Sequence, residues 1–126
     1  MYYKIVLPDL TSYSVRNNLK VQYRLNEFVE ADSELFKLGY GLAVFADLQT
    51  AKYYFTYNSF YGDCLLFECE VEEVVENLPK ACYVELLTKQ AILENSETSS
   101  YTAIWPNSTV LVKAVKLTKQ LTKETL

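Results

Sequence analysis

The alternation of side chains over residues 63 to 71 limits what this chain can fold into more than any other feature. Every odd position from Leu65 to Val71 is apolar, whereas the even positions become acidic at Glu68 and Glu70. A period of two residues is typical of a β-strand that buries one face. The segment therefore predicts a sheet that covers a hydrophobic core on one side.

Other segments repeat this strand-like pattern. Further strands are predicted at residues 2–7, 19–24, 41–46 and 109–118. Alternation over 19–24 buries the odd positions and presents Arg24 on the polar face, while the segment 41–46 is apolar on both faces, which favours a central place in the sheet. In the last strand the apolar positions change face near Lys113 and Ala114, and this change predicts a β-bulge.

Helical spacing marks two other segments. Asp47 can cap a helix because its carboxylate can accept a hydrogen bond from an amide of the next turn, side chains follow at helical spacing to Phe55, and the helix is predicted to end near Tyr57 or Asn58. A second helix is predicted at residues 83–94, and a short helical turn at residues 72–77. The chain of 126 residues is therefore predicted to form a single α+β domain, with a mainly antiparallel sheet and two helices packed on it.

The composition excludes several classes of chemistry. The chain has no histidine, which excludes Ser-His-Asp hydrolysis, Cys-His proteolysis and histidine-based metal chemistry. Three glycines are too few for a glycine-rich phosphate-binding loop. The cysteines, at positions 64, 69 and 82, never form a Cys-x-x-Cys motif, so neither a zinc site nor a disulfide framework is predicted. We expect a binding protein without a cofactor, or an enzyme that uses tyrosine, glutamate, arginine or lysine.

The N-terminal segment does not resemble a secretory signal, because it lacks a charged region followed by a long apolar one. No apolar run approaches the roughly 20 residues that a membrane span requires. The odd number of cysteines also suits a reducing compartment. These features predict a cytoplasmic protein that does not enter a membrane.

The net charge of −4 is unevenly distributed along the chain. Residues 1–24 and residues 98–126 each carry +3, whereas residues 63–97 carry −7. If the two ends meet in space, they form a positive face suited to a small anion. The chain as a whole is too negative to favour a DNA or RNA duplex as a partner.

Several short segments occur together in this chain. They are Tyr3-Lys4-Ile5-Val6, Asp9-Leu10-Thr11-Ser12, Val21-Gln22-Tyr23, residues 29–32, Gly41 to Leu48 with Ala51-Lys52, and Pro106-x-x-Thr109-Val110 followed by Val115-Lys116-Leu117. Their order and spacing resemble the first-described Thoeris anti-defence family, small phage proteins that act as sponges for immune signals. The resemblance covers roughly residues 2–56 and 104–117.

This resemblance implies a homo-oligomer built from dimers, commonly a hexamer, that binds cyclic ADP-ribose isomers at sites shared between protomers. Binding occurs without cleavage, and some members also hold cyclic oligonucleotides at separate sites. The family turn before the last strand reads Arg-Pro-Pro-x-Gly-Thr, where this chain has Ile104-Trp105-Pro106-Asn107-Ser108-Thr109. The arginine is absent and Ser108 replaces the glycine, so the phosphate contact of that arginine does not carry over to this chain.

A cyclic nucleotide site needs aromatic planes, cations and neutral hydrogen-bonding groups. The ligand-binding candidates are Arg16, Arg24, Tyr83, Tyr101, Trp105, Asn107, Thr109 and Lys113. Arg24 is preferred over Arg16 because it lies on the polar face of a predicted strand, and an arginine fork binds phosphate in a bidentate manner. Trp105, the only tryptophan, lies beside Pro106, where its indole can stack on a base. The alternatives are solvated surface arginines and an indole that packs in the core or in an oligomer.

A dense group of aromatic residues follows Asp47. Its members are Tyr53, Tyr54, Phe55, Tyr57, Phe60 and Tyr61. On the predicted helix Phe55 faces the core, whereas the tyrosines spread over other faces. This group exceeds what one core needs, and exposed aromatic residues are enriched at protein interfaces. A homo-oligomer is the prediction that accounts for them.

Two other classes of function compete with the sponge hypothesis. Residues 39–51 are similar to the central segment of ADP-ribosyltransferase-like folds, in which a glycine-bounded strand leads into a short helix near the nicotinamide. The candidates for the catalytic glutamate of such an enzyme are Glu68, Glu70 and Glu72. Arg16 could clamp NAD, but the histidine expected in such an enzyme is absent. The third class is a phage structural or host-interaction module without a small ligand, and the leading prediction is a protein that is not an enzyme.

Overall fold

Five strands and two helices make up the part of the chain that the computed structural model describes, which is residues 1–13, 20–78, 93, 105–122 and 124. In chain order they are β1 (Tyr2–Val6), β2 (Phe28–Glu30), α1 (Ser33–Lys37), β3 (Leu42–Phe45), α2 (Leu48–Ser59), β4 (Leu65–Val74) and β5 (Thr109–Leu121). All ladders between these strands are antiparallel. The α+β class predicted from the sequence is confirmed.

The strand pairings form a closed circuit. β1 pairs with β3 and β4, and β5 pairs with the same two strands. The short β2 pairs with β5 beyond the end of β3. Val112 lies where the circuit closes, because it is aligned with Leu42 of β3 and with Val74 of β4. The length of β5, 13 residues, allows it to reach three partners.

Two hydrophobic clusters lie on opposite faces of the strands. The interior cluster consists of Val6, Tyr23, Leu42, Val44, Phe67, Cys69, Val112, Val115 and Leu117. The second cluster, beneath α2, consists of Ile5, Ala51, Phe55, Cys64, Leu66 and Leu121. The neighbours Leu66 and Phe67 belong to different clusters, as expected for a strand whose side chains alternate between faces.

The predicted helix after Asp47 is confirmed as α2. Its N-cap is Asp47, whose carboxylate accepts hydrogen bonds from the Thr50 amide at 2.9 Å and from Thr50 Oγ1 at 2.8 Å. Ala51 and Phe55, one turn apart, are buried against the sheet. Local capping and helical spacing therefore define this element.

Residues 20–24 do not form the strand predicted at 19–24. One isolated bridge, between Gln22 and Thr11, is the pairing found there. The Tyr23 amide instead donates to the carbonyl of Leu10, in a loop, at 2.8 Å. The predicted alternation of burial is nevertheless present, because Tyr23 is buried while Gln22 and Arg24 are exposed.

β4 is longer than predicted. Residues 72–74 continue the strand, so the predicted helical turn at 72–77 is wrong for them. Val74 is aligned with Val112, and the amide of Val75 donates to the carbonyl of Leu111 at 2.8 Å. These partners are distant in sequence, and they override the local signal for a turn.

The interior side chains of β5 change from even to odd positions between Val112 and Val115. The bulge predicted at Lys113 is wrong, because the register shift of the β4–β5 ladder lies at residues 68/69 of β4. The change of face coincides instead with Glu73 of β4, whose φ of 49° is left-handed. At the same place β3 gives way to β2 as the neighbour of β5.

Two short elements, β2 and α1, were not predicted. Asp32 caps α1 by accepting hydrogen bonds from the amides of Glu34 and Leu35, at 3.0 and 3.1 Å. The second helix predicted at residues 83–94 lies, apart from position 93, outside the described residues.

Candidate functional site

The turn before β5 brings together three of the predicted ligand-binding residues: Trp105, Asn107 and Thr109. The amide and Oγ1 of Thr109 both donate to the carbonyl of Pro106, at 3.2 and 2.6 Å. The amide of Ala46, just before α2, donates to the carbonyl of Ser108 at 2.9 Å. Trp105 is half-buried and Asn107 is exposed. The turn therefore rests on the junction between β3 and α2.

Ser108 has an unusual backbone and side-chain environment. Its φ is 60°, in the left-handed region that glycine adopts most readily. Its Oγ is buried and has no hydrogen-bond partner among the described residues. A buried polar atom without a partner carries a desolvation cost. Ser108 is therefore held in place by the surrounding turn rather than by contacts of its own side chain.

Arg24 lies far from this turn. The amide of Asn26 donates to the carbonyl of Leu117 at 2.8 Å, which places the segment of Arg24 beside the far end of β5. The eight positions from Thr109 to Leu117 correspond to about 26 Å of strand. Arg24 is exposed and pairs with Glu27 at 3.3 Å. Three other candidates lie outside the described residues: Arg16, Tyr83 and Tyr101.

Lysines of β5 pair with glutamates of β4. Lys113 lies four positions from Thr109, about 13 Å along the strand, and its Nζ is 3.5 Å from Glu73 Oε1. Lys116 Nζ is 2.9 Å from Glu70 Oε2. In the described part of the chain, the C-terminal strand therefore contributes to a surface of mixed charge rather than to the expected positive face.

The glutamates considered for an enzymatic role occupy that same surface. Glu70 pairs with Lys116, Glu68 is aligned with Lys119 in the ladder, and Glu72 is exposed. Cross-strand pairs of opposite charge are an ordinary means of stabilising a sheet. The ion pair of Glu70 with Lys116 is such a contact.

The solvent side of α2 and the two residues after it carry exposed aromatic rings, which we call the aromatic face: Tyr53, Tyr57, Phe60 and Tyr61. The rings of Tyr53 and Tyr57 stack, with centroids 6.4 Å apart, and those of Tyr57 and Tyr61 are 5.4 Å apart. The neighbouring Tyr61 side chain raises the pKa of the Tyr57 phenol. Tyr53 also meets Tyr54 edge to face, at 5.3 Å. The sequence predicted these residues as surplus to the core, and the structure exposes them.

Lys4 is a buried lysine that the sequence pattern did not single out. It is 8% exposed, and its Nζ donates to the carbonyl of Ala43 at 2.6 Å and lies 5.0 Å from the centroid of the Tyr23 ring. The ladder between β1 and β3 consists of one aligned pair, Tyr3 with Phe45. The Lys4 ammonium therefore adds a second link between these strands.

The described cysteines lie in the two hydrophobic clusters. Burial raises the pKa of Cys69 to about 12, so its thiol stays protonated and is a poor nucleophile at neutral pH. Cys64 is buried beneath α2. Within the described residues, no group of three or more cysteine or acidic side chains is arranged to hold a metal ion.

Comparisons of the chain with protein-family models, curated proteins and solved structures find no match. None of the helices in the described ranges is long and apolar enough to cross a membrane. The resemblance to the phage anti-defence family therefore stays a prediction from the residues.

Proposed function

We propose that this chain is a non-enzymatic binding protein that sequesters a cyclic nucleotide signal in the cytoplasm and releases it unchanged. A cyclic ADP-ribose isomer is the leading candidate ligand, and a cyclic oligonucleotide is the second. Such a protein acts against a defence system by lowering the free concentration of its signal. The proposal depends on the segments that resemble the phage anti-defence family and on how these segments meet.

The turn before β5 is the observation that carries the proposal. Ser108 stands where the family has glycine, and its φ of 60° is a conformation that favours glycine. The Ser108 carbonyl accepts the hydrogen bond of Ala46, which joins two distant resembling segments, 41–52 and 106–110. A shared backbone requirement at the matching position supports the resemblance, and the class of ligand follows from the resemblance.

The same turn and the neighbouring α2 offer suitable groups for a nucleotide. Trp105 supplies an aromatic plane, and the exposed Asn107 side chain can donate and accept hydrogen bonds. Lys52, exposed in the second turn of α2, is a cation within the resembling segment. Arg24, about 26 Å away along β5, would contact a ligand held at this turn if the ligand lay between two chains.

Calorimetric titration of the purified chain with cyclic ADP-ribose isomers tests the proposal. We expect saturable binding, and chromatography after heating the complex should recover the ligand intact. Recovery of nicotinamide or another product would indicate an enzyme instead. If neither a cyclic ADP-ribose isomer nor a cyclic oligonucleotide binds, the proposal is wrong.

Trp105→Ala is expected to raise the dissociation constant about 10-fold or more, because stacking on a base contributes about 1–3 kcal/mol. Arg24→Ala distinguishes a site within one chain from a shared site, since Arg24 lies far from the turn of its own chain: its affinity should stay within about twofold of the wild type if one chain holds the ligand. Melting temperatures verify that both variants are folded. Unchanged affinity of Trp105→Ala would remove the indole from the site, and weaker binding by Arg24→Ala would indicate a ligand shared between chains.

A further inference from the structure

β2 has an open outer edge in the described part of the chain, and we propose that this edge binds an extended, basic peptide segment of another protein. The segment adds to the sheet as a further strand and pairs with Phe28 and Glu30. The proposal does not depend on the ligand proposed above, because it is argued from the position, backbone and charge of β2.

β2 is the end strand of the sheet. It pairs with β5 and with no other described strand. Phe28 is 40% exposed, and Glu30 is exposed as well. An exposed strand edge is a template on which another chain can pair, and proteins often protect such an edge with lysine or proline. Both residue types are absent from positions 25–36. β2 is therefore accessible to an added strand.

The backbone of β2 directs hydrogen-bonding groups to that edge. The amide of Ala31, just after β2, donates to the carbonyl of Lys113 in β5 at 2.7 Å. Backbone groups point to alternate sides along a strand, so those of Val29 also face β5, whereas those of Phe28 and Glu30 point away from it. Phe28 and Glu30 therefore each present an amide and a carbonyl to an added strand.

The charge of this edge determines which kind of strand fits. Glu30 is the carboxylate within β2, and the flanking residues add further acids without any lysine or arginine. Two copies of the edge would bring like charges together, which opposes their association, whereas a basic segment is attracted. The acids of positions 25–36 are Glu27, which pairs with Arg24, Glu30, Asp32, which caps α1, and Glu34.

The outer face of β2 specifies the side chains of the peptide. Phe28 and Glu30 are two positions apart, so their side chains lie on the same face. Lys116 Nζ lies 5.1 Å from the centroid of the Phe28 ring, but its charge is paired with Glu70. An apolar residue opposite Phe28 and a basic residue opposite Glu30 are the favourable cross-strand pairs. The expected ligand is therefore a strand with a basic and an apolar residue two positions apart.

Fluorescence anisotropy of a labelled peptide, added to the full chain, tests the proposal. The probe repeats Lys-Thr-Val-Thr twice, and its counterpart has glutamate in place of lysine. We expect saturable binding of the lysine peptide, at least about 10-fold tighter than that of the glutamate peptide, and weaker binding in high salt. Amide hydrogen exchange at Phe28 and Glu30 should slow when the lysine peptide is bound.

Substitutions at Glu30 separate charge from strand pairing. Glu30→Gln removes the charge and should weaken binding about 2- to 5-fold. Glu30→Pro also removes the outward amide, which an edge strand tolerates, and should weaken binding at least about 10-fold beyond Glu30→Gln. Asp63→Asn is the matched control, because Asp63 is an exposed acid beyond the end of α2. Its affinity should stay within about twofold of the wild type.

The proposal is overturned if the lysine peptide does not bind at its highest soluble concentration, or if Glu30→Pro binds it as well as Glu30→Gln does. Circular dichroism checks the fold, and a lysine peptide with N-methylated valines removes hydrogen bonds from the peptide side if Glu30→Pro does not fold. Sedimentation without peptide tests the other occupant, since association that Glu30→Pro abolishes would assign the edge to a second copy. Failure to bind a cyclic nucleotide would refute the proposed function while leaving this result unchanged.

Discussion

Ser108 holds a backbone conformation that glycine adopts at lower cost. Replacement of Ser108 by glycine is expected to raise the free energy of unfolding by about 1 kcal/mol. A left-handed conformation costs an L-residue roughly 1–2 kcal/mol, whereas glycine loses about 0.5–1 kcal/mol more chain entropy on folding. The substitution also removes the buried Oγ, which has no partner among the described residues. Equilibrium denaturation of both proteins measures the difference.

Asn107→Gly is the matched control for this substitution. Asn107 is adjacent in the same turn and its φ is not positive, so glycine brings no relief of strain there. We expect Asn107→Gly to lower stability by about 0.5–1 kcal/mol. A Ser108→Gly variant that is no more stable than the wild type would mean that the turn tolerates serine without strain.

Lys4 shows why a single residue can escape sequence reasoning. It lies on the same strand face as Val6, which is buried in the interior cluster, and this shared face is the one feature of the sequence that indicates burial of Lys4. A lysine stem is apolar, however, and its ammonium usually reaches solvent. The hydrogen bond from Lys4 to the carbonyl of Ala43 depends on the pairing of β1 with β3, and the local sequence pattern contains no information about that pairing.

Among the helices and strands, local signals in the sequence predicted α2 but did not predict β2 or the end of β4. Asp47, Ala51 and Phe55 lie within nine residues of the sequence, so the helix cap and the buried face of the helix could be predicted without knowledge of the fold. β2 and the end of β4 depend instead on β5, through alignments such as Val29 with Val115 and Val74 with Val112. A strand of three residues has too few positions to show a period.

The cap of α2 leads to a prediction about stability and pH. Asp47→Ala is expected to lower the melting temperature by about 4 °C near neutral pH, because the Thr50 amide loses its acceptor. The hydrogen bonds from the Thr50 amide and hydroxyl lower the pKa of Asp47 below 3.8. The stabilisation is therefore complete above pH 3.8 and is lost as the pH falls through the lower folded pKa. Melting curves should show a constant difference from neutral pH down to pH 3.8 and a difference that shrinks as the pH is lowered further.

Asp63→Ala is the control for that experiment, because it removes the same charge at an exposed position beyond the end of α2. Its melting temperature should stay within about 1–2 °C of the wild type. If Asp47→Ala and the wild type differ by the same amount at every pH, the carboxylate is not the source of the stabilisation.

In the molecule as a whole, the order of the strands around the circuit could not be predicted from the sequence. Alternation indicated strands and their buried faces, but it contains no information about which strands are neighbours. β5 closes the circuit by pairing with β4 across an interval of about forty positions and with β3 across about seventy. The same pairing places the basic strand beside the acidic one, and so converts an expected anion-binding face into ion pairs such as Lys116 with Glu70.

Gly41 lies directly before β3, beside the position at which β5 closes the circuit of strands. A Cβ there would lie 2.5 Å from the carbonyl oxygen and 2.8 Å from the amide nitrogen of Val112, which are backbone atoms of β5. Backbone atoms in a ladder cannot rotate away, so Gly41→Ala should separate β3 from β5 and lower the free energy of unfolding by about 3 kcal/mol. Val112 is also aligned with Val74, so the displacement should extend to β4.

Gly62→Ala provides the control, because nothing lies within 4 Å of a Cβ at that position and its stability should change by less than about 1 kcal/mol. Urea denaturation measures both variants, and amide hydrogen exchange at Leu42 and Val112 reports where the ladder opens. Faster exchange at these two amides in Gly41→Ala, with no change in Gly62→Ala, would place the damage at the closure. If the two variants are equally stable, the close approach of β5 is not what restricts position 41 to glycine.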